Sequence, residues 1–379
     1  MKTVRNFLAG GGRLVGLKHA VWLLFISLGM VMPTQALTIN PTYDASVTGA
    51  TNAAQIESAF NAAAQNIQGL YTNPITINIT VYWGATGPFS GGISLGASQS
   101  QILGTVTYGQ LTNALRSSRT TLADSNSVAS LPASDPIAGN SWWVPRAEVK
   151  ALGLSGLGAS ANDATLDGSI GFASDANYTF DPTNRAVAGK FDFIGVAEHE
   201  ITEVMGRITF DLSATFLPYD LFRFTNSGAR SFNINATNAY FSVDNGVTAL
   251  RYFYTNANFG DVQDWLSSGP ADAYDAFLSA GKKTVLSAAD ITALDVIGYK
   301  LNFPATKLAG AKQGGGTFQL NFTNTPGTTF TVLATTNLAL AVTNWPSLGT
   351  ATDSVPGQFQ FTDAQATTNK VRFYRVRLN

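Results

Sequence analysis

FDFIGVAEHEITEVMGR, residues Phe191–Arg207, is the stretch on which the reading of this chain turns. Only 12% of the chain is charged, yet Glu198, His199, Glu200 and Glu203 put four ionisable groups into six positions. A helix over this stretch, with Asp192 as N-cap and Gly206 just past the end, sorts the side chains by the 3.6-residue period. Ile194, Ala197, Ile201, Val204 and Met205 form an apolar stripe. Val196, His199, Glu200, Glu203 and Arg207 gather on the opposite side. His199 and Glu203, four apart, lie one turn from each other and are spaced to grip one metal ion.

A catalytic zinc keeps three protein ligands and an open position for water, with a nearby glutamate as base. The familiar spacing is His-Glu-x-x-His, and residues 199–203 read His-Glu-Ile-Thr-Glu. On that frame His199 and Glu203 are metal ligands and Glu200 is the general base. A carboxylate in place of the second imidazole hardens the site, so zinc is expected first and manganese next. The helix holds no third ligand; Asp220 is the first candidate, then Asp211, with Asp264 of DVQDW as a further carboxylate. A competing reading is a solvated polar face on which Glu203 and Arg207 pair. A glycosidase pair at Glu200 and Glu203 fits poorly, because such carboxylates converge from separate elements.

The rest of the chain supplies context. Lys2, Arg5, Arg13 and Lys18, the apolar run Ala20–Met32 and the small-residue ending at Ala36 read as a signal peptide over residues 1–36. The apolar run is shorter than the roughly 20 residues that span a bilayer. Export is therefore expected, to the outside or the periplasm, with no membrane span in the mature chain. Of two histidines only His199 then remains, and there is no cysteine, hence no disulfide framework. A net charge of −1 excludes a basic nucleic-acid surface.

Helical spacing over Asn52–Leu70, Tyr108–Ser117, within Val144–Leu154 and over Leu286–Tyr299 (Ser287 as N-cap) alternates with strand patterns at Leu37–Asp44, Ile75–Gly84, Pro218–Phe224 and Ala239–Gly246. Gly168–Ser174, just before the central helix, reads as an edge strand able to hold an extended peptide. Asp163 and Asp167 have the spacing of the first half of a calcium loop, although Ser174 stands where its glutamate belongs. Residues 304–317 are small, polar and glycine-rich and read as a linker. Four alternating stretches over 318–379 suit a small all-β sandwich.

HEITEVMGR together with PYDLFRF, AYFSVDNG, DAYDAF and LSAADITALDVIGY resembles a family of secreted bacterial zinc metalloproteases related to the matrixin-like metzincins. The resemblance covers roughly residues 167–301. It implies an α+β zincin-like catalytic domain over 37–303, a mixed sheet with an active-site helix, which hydrolyses protein or peptide through metal-activated water. His199, Glu200 and Gly206 fall on the first ligand, the base and the turn glycine of that family's motif. Glu203 occupies the second histidine position and Thr209 the third, and Ala271–Phe277 lacks the methionine of a Met-turn. The tail is similar to β-modules that end secreted bacterial proteins and implies binding to a cell surface or polymer. The alternative implied by the departures is a non-catalytic surface or adhesion protein on a degenerate protease scaffold.

Overall fold

The computed structural model describes residues 36–379 apart from 211–214, 259, 304–305, 327, 356, 369–370 and 379. The expected signal peptide thus lies, except for Ala36, outside the described residues, as does Asp211. The described residues form one compact unit of mixed α/β architecture.

Its centre is a four-stranded sheet ordered Thr38–Tyr43, Thr76–Trp83, Gly168–Phe172, Gly96–Ser100. The first three strands run parallel and the last is antiparallel. The helix Ala53–Leu70 buries Ile56, Ala59, Phe60, Ala63, Ala64 and Ile67, the face its spacing predicts. It packs against the helix Phe193–Val204, which in turn packs on Gly96–Ser100 and Gly168–Phe172.

Four expectations need correction here. Gly168–Phe172 is paired on both sides and every residue in it is buried, so it is an interior strand. The edge next to the helix is Gly96–Ser100, GASQS, whose polar, small side chains carry no strand periodicity. Asp163 and Asp167 do not form a calcium loop: Arg146 Nη2 reaches Asp163 Oδ1 at 2.5 Å and Lys150 Nζ reaches Asp167 Oδ2 at 2.7 Å, so cationic side chains already meet both carboxylates. Within the expected linker, Ala309–Lys312 pairs antiparallel with Phe318–Thr323 and forms a sheet edge. Pro218–Phe222 is a 3-10 turn, closed by the Leu217 N–H donating to Asp220 (2.9 Å), and the strand begins only at Arg223.

Two hydrophobic clusters fill the molecule. The larger runs from Leu37 to Leu301 and takes in both helices and the sheet. The smaller one joins Leu320, Phe322, Phe330, Val332 and Phe359 between two antiparallel sheets in the C-terminal part. No helix among the described residues is long and apolar enough to cross a membrane.

One buried group stands out behind the central helix. Glu148 is fully buried and neither carboxyl oxygen has a hydrogen-bond partner among the described residues. It lies against Gly206, where a Cβ would come within 2.8 Å of its Oε2 and where φ is +118°, so only glycine fits the turn that ends the helix. Burial, then Asp220, pushes the Glu148 carboxyl well above its ordinary value. A raised carboxyl pKa means that the folded state binds more protons than the unfolded one between the two pKa values, so stability falls as pH rises through that window. Glu148→Gln removes this penalty: its stability advantage over wild type should grow by up to about 1.4 kcal/mol per pH unit above the ordinary glutamate value, until the folded pKa is reached. Urea denaturation of both proteins at pH 5 and pH 8 checks this; an advantage that does not change with pH would contradict it.

Candidate metal centre

The central helix is buried along its whole length, polar face included. That excludes the solvated-face reading, since a buried charge must be matched by partners. Glu198 accepts from Asn66 Nδ2 (2.6 Å) and pairs with Arg185 (3.2 Å), which also grips Asp192 (2.8 Å). Asp192 therefore does not cap the helix with its side chain; it also accepts from Thr284 N (3.0 Å).

On the edge strand, residues two apart face the helix. Ser98 Oγ donates to Glu203 Oε2 (2.8 Å) and Ser100 Oγ donates to the Glu203 carbonyl (3.0 Å). Gly96 continues the row: a Cβ there would lie 2.3 Å from Glu200 Oε1 and 2.7 Å from Val196 Cγ1. The absent side chain at 96 is what lets the Glu200 carboxyl lie against the strand.

Three residues converge beyond this strand. His199, Glu203 and Asp264 each offer one ligand atom, all within 4.8 Å of one another. His199 Nε2 is 3.5 Å from Glu203 Oε1 and 3.4 Å from Asp264 Oδ1. The other ring nitrogen is 2.7 Å from the Ala273 carbonyl, which can only accept, so Nδ1 carries the proton and Nε2 faces the carboxylates. An outer-shell carbonyl of this kind is what orients a metal-binding imidazole. Ligand atoms at 2.0–2.2 Å from a tetrahedral ion stand roughly 3.3–3.6 Å apart. Nε2 stands at such a separation from one oxygen of each carboxylate, and one nitrogen with two carboxylate oxygens is a donor set that suits a divalent ion.

Arg207 completes the cluster. It is fully buried, with Nη1 2.6 Å from Asp264 Oδ1, Nη2 3.3 Å from Glu203 Oε1, and its guanidinium 4.1 Å from the centroid of the Tyr274 ring. Gln263 Nε2 donates to Glu203 Oε1 as well (2.9 Å). Burial resists ionisation of Glu203, but the His199 hydrogen bond and Arg207 bring its pKa well below the carboxylate range. Burial likewise opposes charge on His199, yet Asp264 and then Glu203 hold the ring protonated up to about 10. Glu200 moves the other way: burial, then Glu203, raises it well above its ordinary value. A carboxyl raised toward neutrality is suited to take and return protons.

His199, Glu200 and Asp264 open onto a cleft of about 560 Å³ whose wall includes Ser94, Leu95 and Gly96. Glu200 makes no side-chain hydrogen bond or ion pair among the described residues. The structure thus brings His199, Glu200 and Glu203 to one place and adds Asp264. Asp220, expected as third ligand, is not in the cluster: it accepts from Thr209 Oγ1 (2.5 Å) and Leu217 N, and burial raises its pKa to about 6. Gln263 and Asp264 are buried with Val262 and Trp265, a burial that the polar pair does not announce in the sequence.

Comparisons of the chain with protein-family profiles, with curated proteins and with solved structures found no match. The site therefore stands on its own geometry.

Removing the Arg207 cation leaves Glu203 and Asp264 facing each other in the interior. Arg207→Met should cost about 3–5 kcal/mol in the presence of a chelator, as for other broken buried ion networks. Urea unfolding in EDTA measures this, and a loss below about 1 kcal/mol, the range of exposed pairs, would show that the guanidinium does not hold the cluster together.

Proposed function

We propose that the chain is a metal-dependent endopeptidase. The observation that carries this reading is His199 Nε2, its tautomer set by the Ala273 carbonyl, facing one oxygen each of Glu203 and Asp264 at 3.5 and 3.4 Å on the floor of an open cleft. His199, Glu203 and Asp264 would hold the ion, zinc by preference, with manganese favoured by the two hard oxygen donors. Bound there, a divalent ion supplies Lewis-acid activation of water and of a peptide carbonyl. Glu200 takes the proton from the attacking water and passes it to the leaving amine. Its elevated pKa and its lack of other partners suit both halves of that task. The backbone of Gly96–Ser100, at the sheet edge beside the cleft, is placed to receive an extended chain by main-chain hydrogen bonds. This role moves from Gly168–Phe172, which lies inside the sheet. The resemblance to metzincin-like secreted proteases agrees with this assignment, as does the expected export signal.

A second reading is favoured by one observation. Arg207 already spans both carboxylates, so with a protonated His199 the cluster is charge-matched without an ion. On that reading the chain is a non-catalytic scaffold, and its C-terminal strands serve attachment to a surface or polymer.

Metal analysis of the purified protein and hydrolysis of casein separate the two. About one equivalent of divalent metal is expected, lost in His199→Ala, Glu203→Gln and Asp264→Asn. Glu200→Gln should keep the metal and lose at least about 100-fold in hydrolysis. A folded, metal-supplied preparation that holds no metal would rule out the peptidase in favour of the scaffold. Retained metal with unchanged hydrolysis in Glu200→Gln would refute the role of Glu200.

A further inference from the structure

A second cavity of about 560 Å³ opens beside the candidate metal centre and takes no part in its chemistry. Ala176, in the bend that follows Gly168–Phe172, lines both this cavity and the cleft. Tyr178, in the wall of the second cavity, donates its hydroxyl to the carbonyl of Leu95, in the wall of the first (2.6 Å). The sheet edge leads from one space to the other. Gly96 lies opposite Phe172, and the Ala173 N–H donates to the same Leu95 carbonyl (2.9 Å). A chain laid along the edge from Ser100 to Gly96 and carried further therefore heads for the 173–177 bend.

The two spaces differ in chemistry. Carboxyl groups line the cleft, whereas no acidic or basic side chain lines the second cavity. Its largest side chain is Trp83, the half-buried last residue of Thr76–Trp83. The indole is braced by Tyr178, Phe180 and Phe193, with ring centroids 5.9, 6.2 and 6.4 Å away, and the Trp83 backbone N–H donates to Ser46 Oγ (3.0 Å). A ring held in this way loses little freedom when a ligand arrives. Its indole N–H makes no hydrogen bond among the described residues. Asn52 stands at the N-cap position of Ala53–Leu70, but its side chain makes no capping bond. The hydroxyls of Thr51 and Ser174, both exposed, have no partner among the described residues. An aromatic face ringed by neutral donors and acceptors suits a neutral, flat side chain whose own backbone can be hydrogen-bonded.

We propose that this cavity is an accessory pocket of the cleft, which takes a phenylalanine or tyrosine side chain of the same extended peptide, stacked on Trp83 and away from the bond that reacts. Asn52, Thr51 and Ser174 then serve the peptide backbone. Continuity with the cleft at Ala176 favours a peptide over a free neutral ligand such as an oligosaccharide. The pocket rests on the peptidase reading for its purpose, although its occupancy is measured by binding alone.

The test uses the full chain carrying Glu200→Gln and fluorescein-labelled decapeptides of serine and alanine, in which a single phenylalanine is moved from position to position. At one position phenylalanine should tighten equilibrium binding by about tenfold over the peptide without it, the worth of one stacked and partly buried ring. Trp83→Ala should abolish that gain, and Trp83→Phe, which keeps a ring, should keep most of it. Ser174→Arg, at an exposed position, should block the pocket and abolish the gain as well, which keeps the test open if Trp83→Ala fails to fold. Denatured casein cut by the chain with Glu200 intact should show aromatic residues enriched at one fixed distance from the broken bond, and Ser174→Arg should cut without that enrichment. Casein cleavage with no phenylalanine position preferred in binding, or a gain that survives Ser174→Arg, overturns the pocket and leaves the peptidase reading standing. A gain that Ser174→Arg removes, with no hydrolysis by wild type, overturns the peptidase reading and leaves the pocket standing. Cellohexaose binding that Ser174→Arg removes, with no gain from phenylalanine, assigns the cavity to carbohydrate and overturns the proposal.

Discussion

A single buried guanidinium holds the centre of this molecule together. Arg207, with no exposed surface, reaches Asp264 at 2.6 Å and Glu203 at 3.3 Å, and lies over the Tyr274 ring. Two carboxylates brought this close in the interior would repel each other and drive one toward protonation. With Arg207 between them both can stay charged, and the 260–275 segment is drawn against the end of the central helix. The same contact explains why the polar side of that helix turns inward. Its partners are hydroxyls of the edge strand, the Gln263 amide, the Asp264 carboxylate and the Ala273 carbonyl.

Much of the local structure is legible in the sequence. The helix Ala53–Leu70 follows its apolar spacing, Ser287 and Asp290 cap Ala288–Asp295 as a capping box, and the C-terminal stretches form antiparallel strands. These elements bury one regular face, and regular burial leaves a regular pattern. The edge strand does not, because its work is done by what it lacks: Gly96 gives room to Glu200, and Ser98 and Ser100 supply hydroxyls to Glu203. No periodicity rule finds a strand chosen for small size.

The site was half visible for a similar reason. His199, Glu200 and Glu203 are linked by helix geometry, which spacing reveals. The partner that completes them is set by tertiary structure, and several carboxylates competed for that place. Asp220 stands outside the cluster because the 3-10 turn at Pro218–Phe222 engages its oxygens locally, through Thr209 and the Leu217 N–H. Asp264 has Arg207 and His199 as its partners, both distant in sequence, and nothing in its immediate neighbours announces them.

The tether from His199 to the Ala273 carbonyl spans 74 residues, and those from Glu203 to Ser98 and Gln263 span 105 and 60. A chain that emerges in order from its N-terminus therefore carries the helix long before it carries the means to orient the imidazole. Until the 263–273 segment is made and packed, His199 has no fixed tautomer and Asp264 is missing from the cluster. The cluster is in this sense a timer written into chain order. Whatever chemistry the site performs, the unfinished polypeptide is spared it, with no separate inhibitory segment needed for that interval.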